Sequence, residues 1–420
     1  MPRGGDSSTR LWRNDVMRHA LGLPELLHPV SSDTFFQNYF ESTELYVPRG
    51  GAPHFGDLLT LDDIDRLLAH SNFRTTEIFV VNASRKVSVE DFTNAAGGVE
   101  PAKVYRLHAE GATVILNRIN NYHPPLADLC TALDAEFGAT CGANVYVTPP
   151  QARGFQAHFD THDVFILQLH GSKRWKLYGR PIELPVAGHG EDGPQDDPGS
   201  SSAEFDLTVG DTLYIPRGTV HDATSYDDVS VHVTLGIFSF TWADLLLECL
   251  ASDVLANPIY RRSIPKSFVL APPDPSEARP QFEQLVDHFR RTDNLLAGIR
   301  SLREQFLARR GTNVRGQMSQ IASARALTPQ SHLGHRQNLA YSLTRDRGQI
   351  RLRCYGNETT FPDAQEEVVK FALGTTSFRV RDVPPHLQDA STIPIMQRLI
   401  HSGVLQVDDS GGWYGPDARS

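Results

Sequence analysis

In the stretch HFDTHDVFILQLHGSKRW, His158 and Asp160 stand one residue apart at the head of an apolar run. On an extended strand, residues i and i+2 project from the same face, so this spacing sets an imidazole and a carboxylate side by side as two ligands for a metal ion. A third ligand is expected from a distant strand. The stretch GDTLYIPRGTVH offers His221, at the end of a strand and turn shaped by Gly210, Pro216 and Gly218. Two nitrogens and one oxygen on one face of an octahedron leave three positions open, which suits non-haem Fe(II) chemistry in which a co-substrate and O2 both reach the metal. The competing reading is a hydrogen-bonded surface pair in a chain that carries 17 histidines. Among those, His162, His170 and His232 could also point inward.

The elements that must position these residues are β-rich. From about residue 141 to 240, the runs ANVYVTPP, HDVFILQLH, KRWKLYG, TLYIP and VSVHVTLGIFSF are short, rich in Val, Ile, Tyr and Phe, and separated by Gly, Pro and Ser. Many short strands with such turns predict a barrel or jelly roll. The stretch VAGHGEDGPQDDPGSSSAEF has no periodicity and reads as a flexible surface loop. Ahead of the β region, DTFFQNYFES and TLDDIDRLLAHS have helical spacing, ELYVP and TEIFVV read as short strands, and PLADLCTALDAEFG is a helix closed by Gly138. Beyond residue 241 the pattern turns helical, in TWADLLLECLASDVLA and RPQFEQLVDHFRRTDNLLAGIRSLREQFLARRG. From about 345 come the strand-like QIRLRCYG and SFRVRDV, a helix around TIPIMQRLIHSG and a terminal VLQVDD.

The whole chain has 420 residues, 40% hydrophobic and 21% charged, the composition of an ordinary globular protein with more than one domain. Its formal net charge of −10 argues against a protein whose main task is coating nucleic acid. Cys130, Cys141, Cys249 and Cys354 lack CxxC spacing, so no disulfide framework or zinc knuckle is indicated and a reducing cytoplasm fits. MPRGGDSSTRLWRNDV lacks the apolar core of a signal peptide, and no run approaches the roughly 18 residues of a membrane span. The excess of arginine over lysine is read as the mark of a GC-rich, bacterial genome.

The run from Gly210 through Pro216 and Gly218 to His221 resembles the second metal-binding motif of the cupin superfamily. In the first motif, His158-x-Asp160 stands in place of a double histidine and no glutamate ligand follows, which is the pattern of the JmjC-type 2-oxoglutarate oxygenases. The stretch NVYVTPPQARGFQAHFDTHDVFILQLHGSKRWKLYG resembles their ribosomal oxygenase branch more closely still. The resemblance extends over most of the chain and implies an α+β protein: a double-stranded β-helix (jelly-roll, cupin) barrel with flanking helices over 1–240, a helical dimerisation segment over 241–340 and a C-terminal winged-helix-like domain over 341–420. It implies Fe(II), 2-oxoglutarate and O2, with His158, Asp160 and His221 as metal ligands.

Within that resemblance, Lys173 follows the Gly171-Ser172 turn and is expected on a strand returning beside the one that leaves the metal. There its ammonium would offset the desolvation of the far carboxylate of 2-oxoglutarate. Asn144 and Tyr146 match positions that line the pocket near the co-substrate. Without the resemblance they read as a turn asparagine and a packing tyrosine. His232 is expected to touch the co-substrate rather than the metal, because a fourth protein ligand would obstruct O2 chemistry.

The implied reaction is hydroxylation of a side chain on a protein substrate, such as an arginine or histidine of a ribosomal protein, towards which an acidic loop could steer a basic target. A small peptide or free amino acid as substrate, and N-methyl-lysine demethylation, are the alternatives. An inactive cupin used as a scaffold is the non-enzymatic one. A homodimer is implied, and the scarcity of cations in STIPIMQRLIHSG argues against direct nucleic-acid binding.

Overall fold

The structure, a computed structural model, describes residues 21–82, 84–189, 198–270, 272, 274–311 and 314–408. The leading MPRGGDSSTRLWRNDV segment and the acidic residues of the 190–197 stretch therefore lie outside the described residues. The chain divides into two compact units. One comprises 1–136 with 141–238, and the other comprises 137–140 with 239–420.

The first unit opens with helices α1 (Leu23–Leu27), α2 (Ser32–Asn38), α3 (Leu61–His70), α4 (Pro101–Ala109) and α5 (Pro124–Phe137). In α3, Thr60 caps the helix by accepting the Asp63 amide, and Ile64, Leu67 and Leu68 recur at the spacing that buries one face. Interleaved with these and following them are the strands β1 (Leu45–Val47), β2 (Ile78–Val81), β3 (Thr113–Leu116), β4 (Thr140–Thr148), β5 (Asp163–His170), β6 (Lys173–Leu177), β7 (Ala203–Leu207), β8 (Thr212–Ile215), β9 (His221–Ser225) and β10 (Ser230–Phe238).

Seven strands form one sheet in the order β1-β8-β5-β10-β4-β3-β2, and three form another in the order β7-β6-β9. Alternation along each strand decides what lies between the sheets. Val164, Ile166, Leu213 and Ile215 of the large sheet pack with Trp175, Leu177, Leu207 and Ala223 of the small one in a single buried cluster. The opposite face of β5 is buried too, since Phe165 packs on Tyr214, against which the α2 ring of Phe35 stands edge-on at 4.9 Å. Burial on both faces explains why DVFILQLH is an almost unbroken apolar run.

Two expectations are corrected here. β6 does not return beside β5 as a hairpin. It pairs with β7 and β9, whereas β5 pairs with β8 and β10. The Gly171-Ser172 connection instead carries the chain from one sheet to the other. Gly171 makes this possible at φ +60°, where a Cβ would lie 2.2 Å from the Val229 carbonyl oxygen. The loop read over residues 186–205 also ends too late, because Ala203–Leu207 is strand β7, paired residue for residue with β6. Its alternation of Glu204 and Asp206 with Phe205 resembles a polar loop when seen without its partner strand.

The second unit contains α6 (Trp242–Ala256), α7 (Ser267–Leu270), α8 (Pro275–Arg291), α9 (Leu295–Arg309), α10 (Gln317–Ala324), α11 (Glu366–Gly374) and α12 (Thr392–His401). It also contains β11 (His332–His335), β12 (Ser342–Asp346), β13 (Gln349–Cys354), β14 (Asn357–Pro362), β15 (Ser377–Arg379) and β16 (Leu405–Val407). The last six strands form two three-stranded sheets, β15-β11-β16 and β12-β13-β14. Leu333, Phe361, Val369, Met396, Leu399 and Leu405 are central to a wholly apolar core there.

Candidate metal centre

His158 precedes β5 and His221 begins β9, and the two meet directly. The His158 amide donates to the His221 carbonyl at 3.1 Å and the His221 amide donates back at 2.8 Å. This reciprocal pair fixes the two imidazoles opposite one another, with ring centroids 4.7 Å apart. Asp160 is held on the same side by its backbone, whose carbonyl accepts the Gly218 amide at 2.9 Å. Gly218 sits at φ +84°, with the Ile182 carbonyl oxygen 2.4 Å from where a Cβ would be. The glycine is therefore what lets the turn come close enough. Gly210, at φ +90°, makes an equally close approach to the Ala52 carbonyl.

One ligand atom from each of His158, Asp160 and His221 lies within 4.8 Å of the others, and the His221 Nε2 to Asp160 Oδ2 distance is 3.7 Å. The tautomers follow from the neighbours. His158 Nδ1 is 2.8 Å from the Gln156 carbonyl and His221 Nδ1 is 3.0 Å from the Thr219 carbonyl. A carbonyl only accepts, so both Nδ1 atoms carry the proton and both Nε2 lone pairs are left for a cation. Burial, then the His158 imidazole, pulls His221 down to about 4, which keeps it neutral at pH 7. Burial would raise the Asp160 carboxyl, but the imidazoles of His162, His221 and His158 together hold it below its ordinary value. Two imidazole nitrogens and one carboxylate oxygen are a donor set that fits a divalent first-row metal ion.

The cavity that these residues line continues inward to Lys173, with Trp175, Ile166, Val164, Tyr146, His232 and Phe155 among its walls. Lys173 is only 2% exposed, and its ammonium donates to the Thr148 hydroxyl at 3.0 Å. No carboxylate pairs with it among the described residues. Burial alone therefore lowers it to about 7.

Tyr146 lies flat on His232, with centroids 4.6 Å apart and planes 8° from parallel. Burial, and then the Lys173 charge, drive His232 well below its ordinary value, and its buried Nδ1 has no hydrogen-bond partner among the described residues. Asn144 lies elsewhere: its Oδ1 accepts the Arg118 amide at 3.0 Å, and it is not among the cavity walls. His162 packs over Gly236 and stacks on Phe238 at 4.5 Å, while His170 lies in the β5 register opposite Val231.

Sequence reasoning missed Trp175, Thr148 and Phe155. Trp175 was within reach, since it is two residues beyond Lys173 on the same strand face. Thr148 was within reach as well, two residues beyond Tyr146 on β4, whereas Phe155 enters the cavity from a loop, which leaves no periodic signal.

A family model described as a JmjC domain matches residues 116–245. The "Bifunctional lysine-specific demethylase and histidyl-hydroxylase NO66" of Dictyostelium discoideum is 35% identical over 257 residues, covering 59% of this chain and 49% of that protein. The protein of the same name from Drosophila grimshawi is 35% identical over 261 residues, covering 60% and 36%. The chain thus spans less than half the length of these relatives. Among solved structures, Escherichia coli ycfD aligns with a TM-score of 0.55 at 15% identity over 90% of this chain and 98% of that one. The same protein, described as a ribosomal oxygenase in complex with cobalt and succinic acid, aligns at 0.54 with 17% identity and the same coverage.

Proposed function

We propose, from the premise that residues 116–245 of this chain are a JmjC domain in a cupin barrel similar to those of ribosomal oxygenases, that it is an Fe(II)- and 2-oxoglutarate-dependent protein hydroxylase. The observation that carries the reading is Lys173, a buried cation without an anionic partner among the described residues, in the same cavity as the His158, Asp160 and His221 cluster. A buried ammonium satisfied by one neutral hydroxyl is costly unless an anion completes it, and a dicarboxylate chelated at the metal would bring one there. The histidyl-hydroxylase in the relatives' name, and the cobalt and succinate of the bacterial structure, agree with that chemistry.

Bound there, iron, 2-oxoglutarate and O2 supply the oxidising power that turns a C–H bond of the target into C–OH as 2-oxoglutarate becomes succinate and CO2. The protein supplies placement. His158 and His221 present Nε2 and Asp160 a carboxylate oxygen, each locked by a backbone contact. Lys173, held by Thr148, takes the far carboxylate. His232 Nδ1 is a further polar group for the co-substrate, and Tyr146 keeps that ring in its plane. Val164, Ile166 and Trp175 keep water away from these groups. Asn144 serves the site indirectly by fixing the chain at Arg118.

The substrate we propose is a protein side chain, with a ribosomal protein as the first candidate. A second reading, N-methyl-lysine demethylation, is favoured by the other half of the relatives' name. The proposal extends to a homodimer formed through the helical segment, because Trp242, Leu246, Leu247, Leu255, Leu295 and Leu296 are exposed on α6 and α9. It also assigns a winged-helix-like docking role to the C-terminal strands and helices, whose Arg398 is already engaged on the Phe361 ring at 4.4 Å. A reducing, cytoplasmic location suits the four free cysteines. Among the described residues no helix is long and apolar enough to cross a membrane.

The test is succinate release from purified protein with Fe(II) and 2-oxoglutarate, with and without ribosomal proteins, followed by mass spectrometry for the gain of one oxygen atom. His158→Ala is expected to weaken Mn(II) binding more than about 100-fold and to abolish turnover. Formaldehyde release from a methylated peptide would instead favour demethylation. Failure to bind a divalent metal or 2-oxoglutarate would leave only the scaffold.

A further inference from the structure

The cavity has one wall that neither the metal cluster nor the co-substrate end uses. Phe155, on the loop between β4 and β5, lines the same cavity as His158, Asp160 and His221, and it is 40% exposed. Its ring stands edge-on to the His158 ring, with centroids 5.4 Å apart and planes at 66°, and edge-on to Tyr146 at 6.3 Å.

Other aromatic walls are shielded. Trp175 is 6% exposed, and its ring is 5.9 Å from both the His221 ring centroid and Lys173 Nζ, so it lies on the side where a carboxylate would be bound. Tyr146 has one face covered by His232. Phe155 therefore offers the least protected C–H bonds beside the ligand cluster, on the side left to an incoming substrate.

We propose that Phe155 is a self-modification site, hydroxylated on its ring when the centre turns over without substrate. The inference rests on the oxygenase reading given above. The step balances: one atom of O2 enters the ring as C–OH in place of C–H and the other enters succinate. The ring C–H and the oxidative decarboxylation of 2-oxoglutarate each give two electrons, so that O2 is fully reduced. No further reductant is consumed.

Two measurements test it. The full-length protein is incubated with Fe(II), 2-oxoglutarate and 18O2 without substrate, and its peptides are sequenced by mass spectrometry. One 18O atom is expected on Phe155, and none in H158A or when 2-oxoglutarate is omitted. F155L should lack the product. Succinate formed without ring oxygen on Phe155, or with the oxygen on Trp175 or Tyr146, overturns this inference and leaves the oxygenase reading intact. Absence of succinate overturns both.

The second measurement needs no turnover. In protein labelled with 4-fluorophenylalanine, the resonance that disappears in F155L should broaden beyond detection when Mn(II) is added without O2, and should stay sharp in H158A. A line that stays sharp in metal-loaded protein places the ring too far from the centre and overturns the proposal.

Discussion

Two buried cations, one in each compact unit, are treated in opposite ways. In the second unit, Arg336 is 7% exposed and spends its guanidinium on three acceptors: the Gly403 carbonyl at 3.0 Å, the Arg315 carbonyl at 2.8 Å and the Gln317 side-chain oxygen at 2.8 Å. Burial lowers it only from a very high starting value, so it stays charged. In the barrel, Lys173 is more deeply buried, and among the described residues it hydrogen-bonds only the neutral Thr148 hydroxyl. A buried polar group whose bonds are filled from within belongs to the structure, whereas one left short is destabilising until something else completes it. The contrast supports the role proposed for Lys173 without reference to any relative.

The contrast can be broken by substitution. Lys173→Ala is expected to weaken 2-oxoglutarate binding by about 100-fold, on the order of 3 kcal/mol, while Mn(II) affinity is unchanged. Calorimetric titration of each ligand checks this. An unchanged 2-oxoglutarate affinity would return Lys173 to the class of internal ties. Arg336→Met should do the reverse, lowering stability by roughly 3 kcal/mol in urea unfolding and leaving 2-oxoglutarate affinity as it was.

Acidity sharpens the comparison further. Burial brings Lys173 down to about 7, and a bound carboxylate would raise it. Its contribution to affinity is therefore fully present below about pH 7 and is lost as pH rises towards the bound-state value, at up to about tenfold per pH unit. In Lys173→Met that slope should vanish. The same depressed value means that the unfolded chain holds a proton the folded one lacks above pH 7. Wild-type stability should then rise relative to Lys173→Met by up to about 1.4 kcal/mol per pH unit between pH 7 and 9, measured by thermal unfolding.

The smallest effect is expected from Thr148→Val, which removes the hydrogen bond that the ammonium makes to the Thr148 hydroxyl. It should cost about 1 kcal/mol of 2-oxoglutarate affinity, unless a water molecule takes the place of the hydroxyl.

Much of the site could be read from the chain. The i, i+2 spacing of His158 and Asp160 pointed to a ligand pair, although both precede β5 rather than lying on a strand: His158 is placed by its bridge to His221 and Asp160 by the Gly218 amide. Gly210 and Gly218 were identifiable as turn-setting because only a residue without Cβ tolerates their conformation. The helices around Ile64 and Leu129 followed from the spacing of their apolar residues, and the second also from Gly138 at its end. These signals are local, and each is complete within a dozen residues.

What the tertiary structure decided was which strands share a sheet and what each side chain lacks. The hairpin expected around Lys173 is a crossing between two sheets, and β7 is a strand only because β6 lies beside it. Strand pairing is a contest among distant segments, so no single stretch contains its outcome. Whether Lys173, His232 or Phe155 is satisfied, shielded or open depends on atoms brought from the rest of the chain, and residue order alone carries no record of those distances.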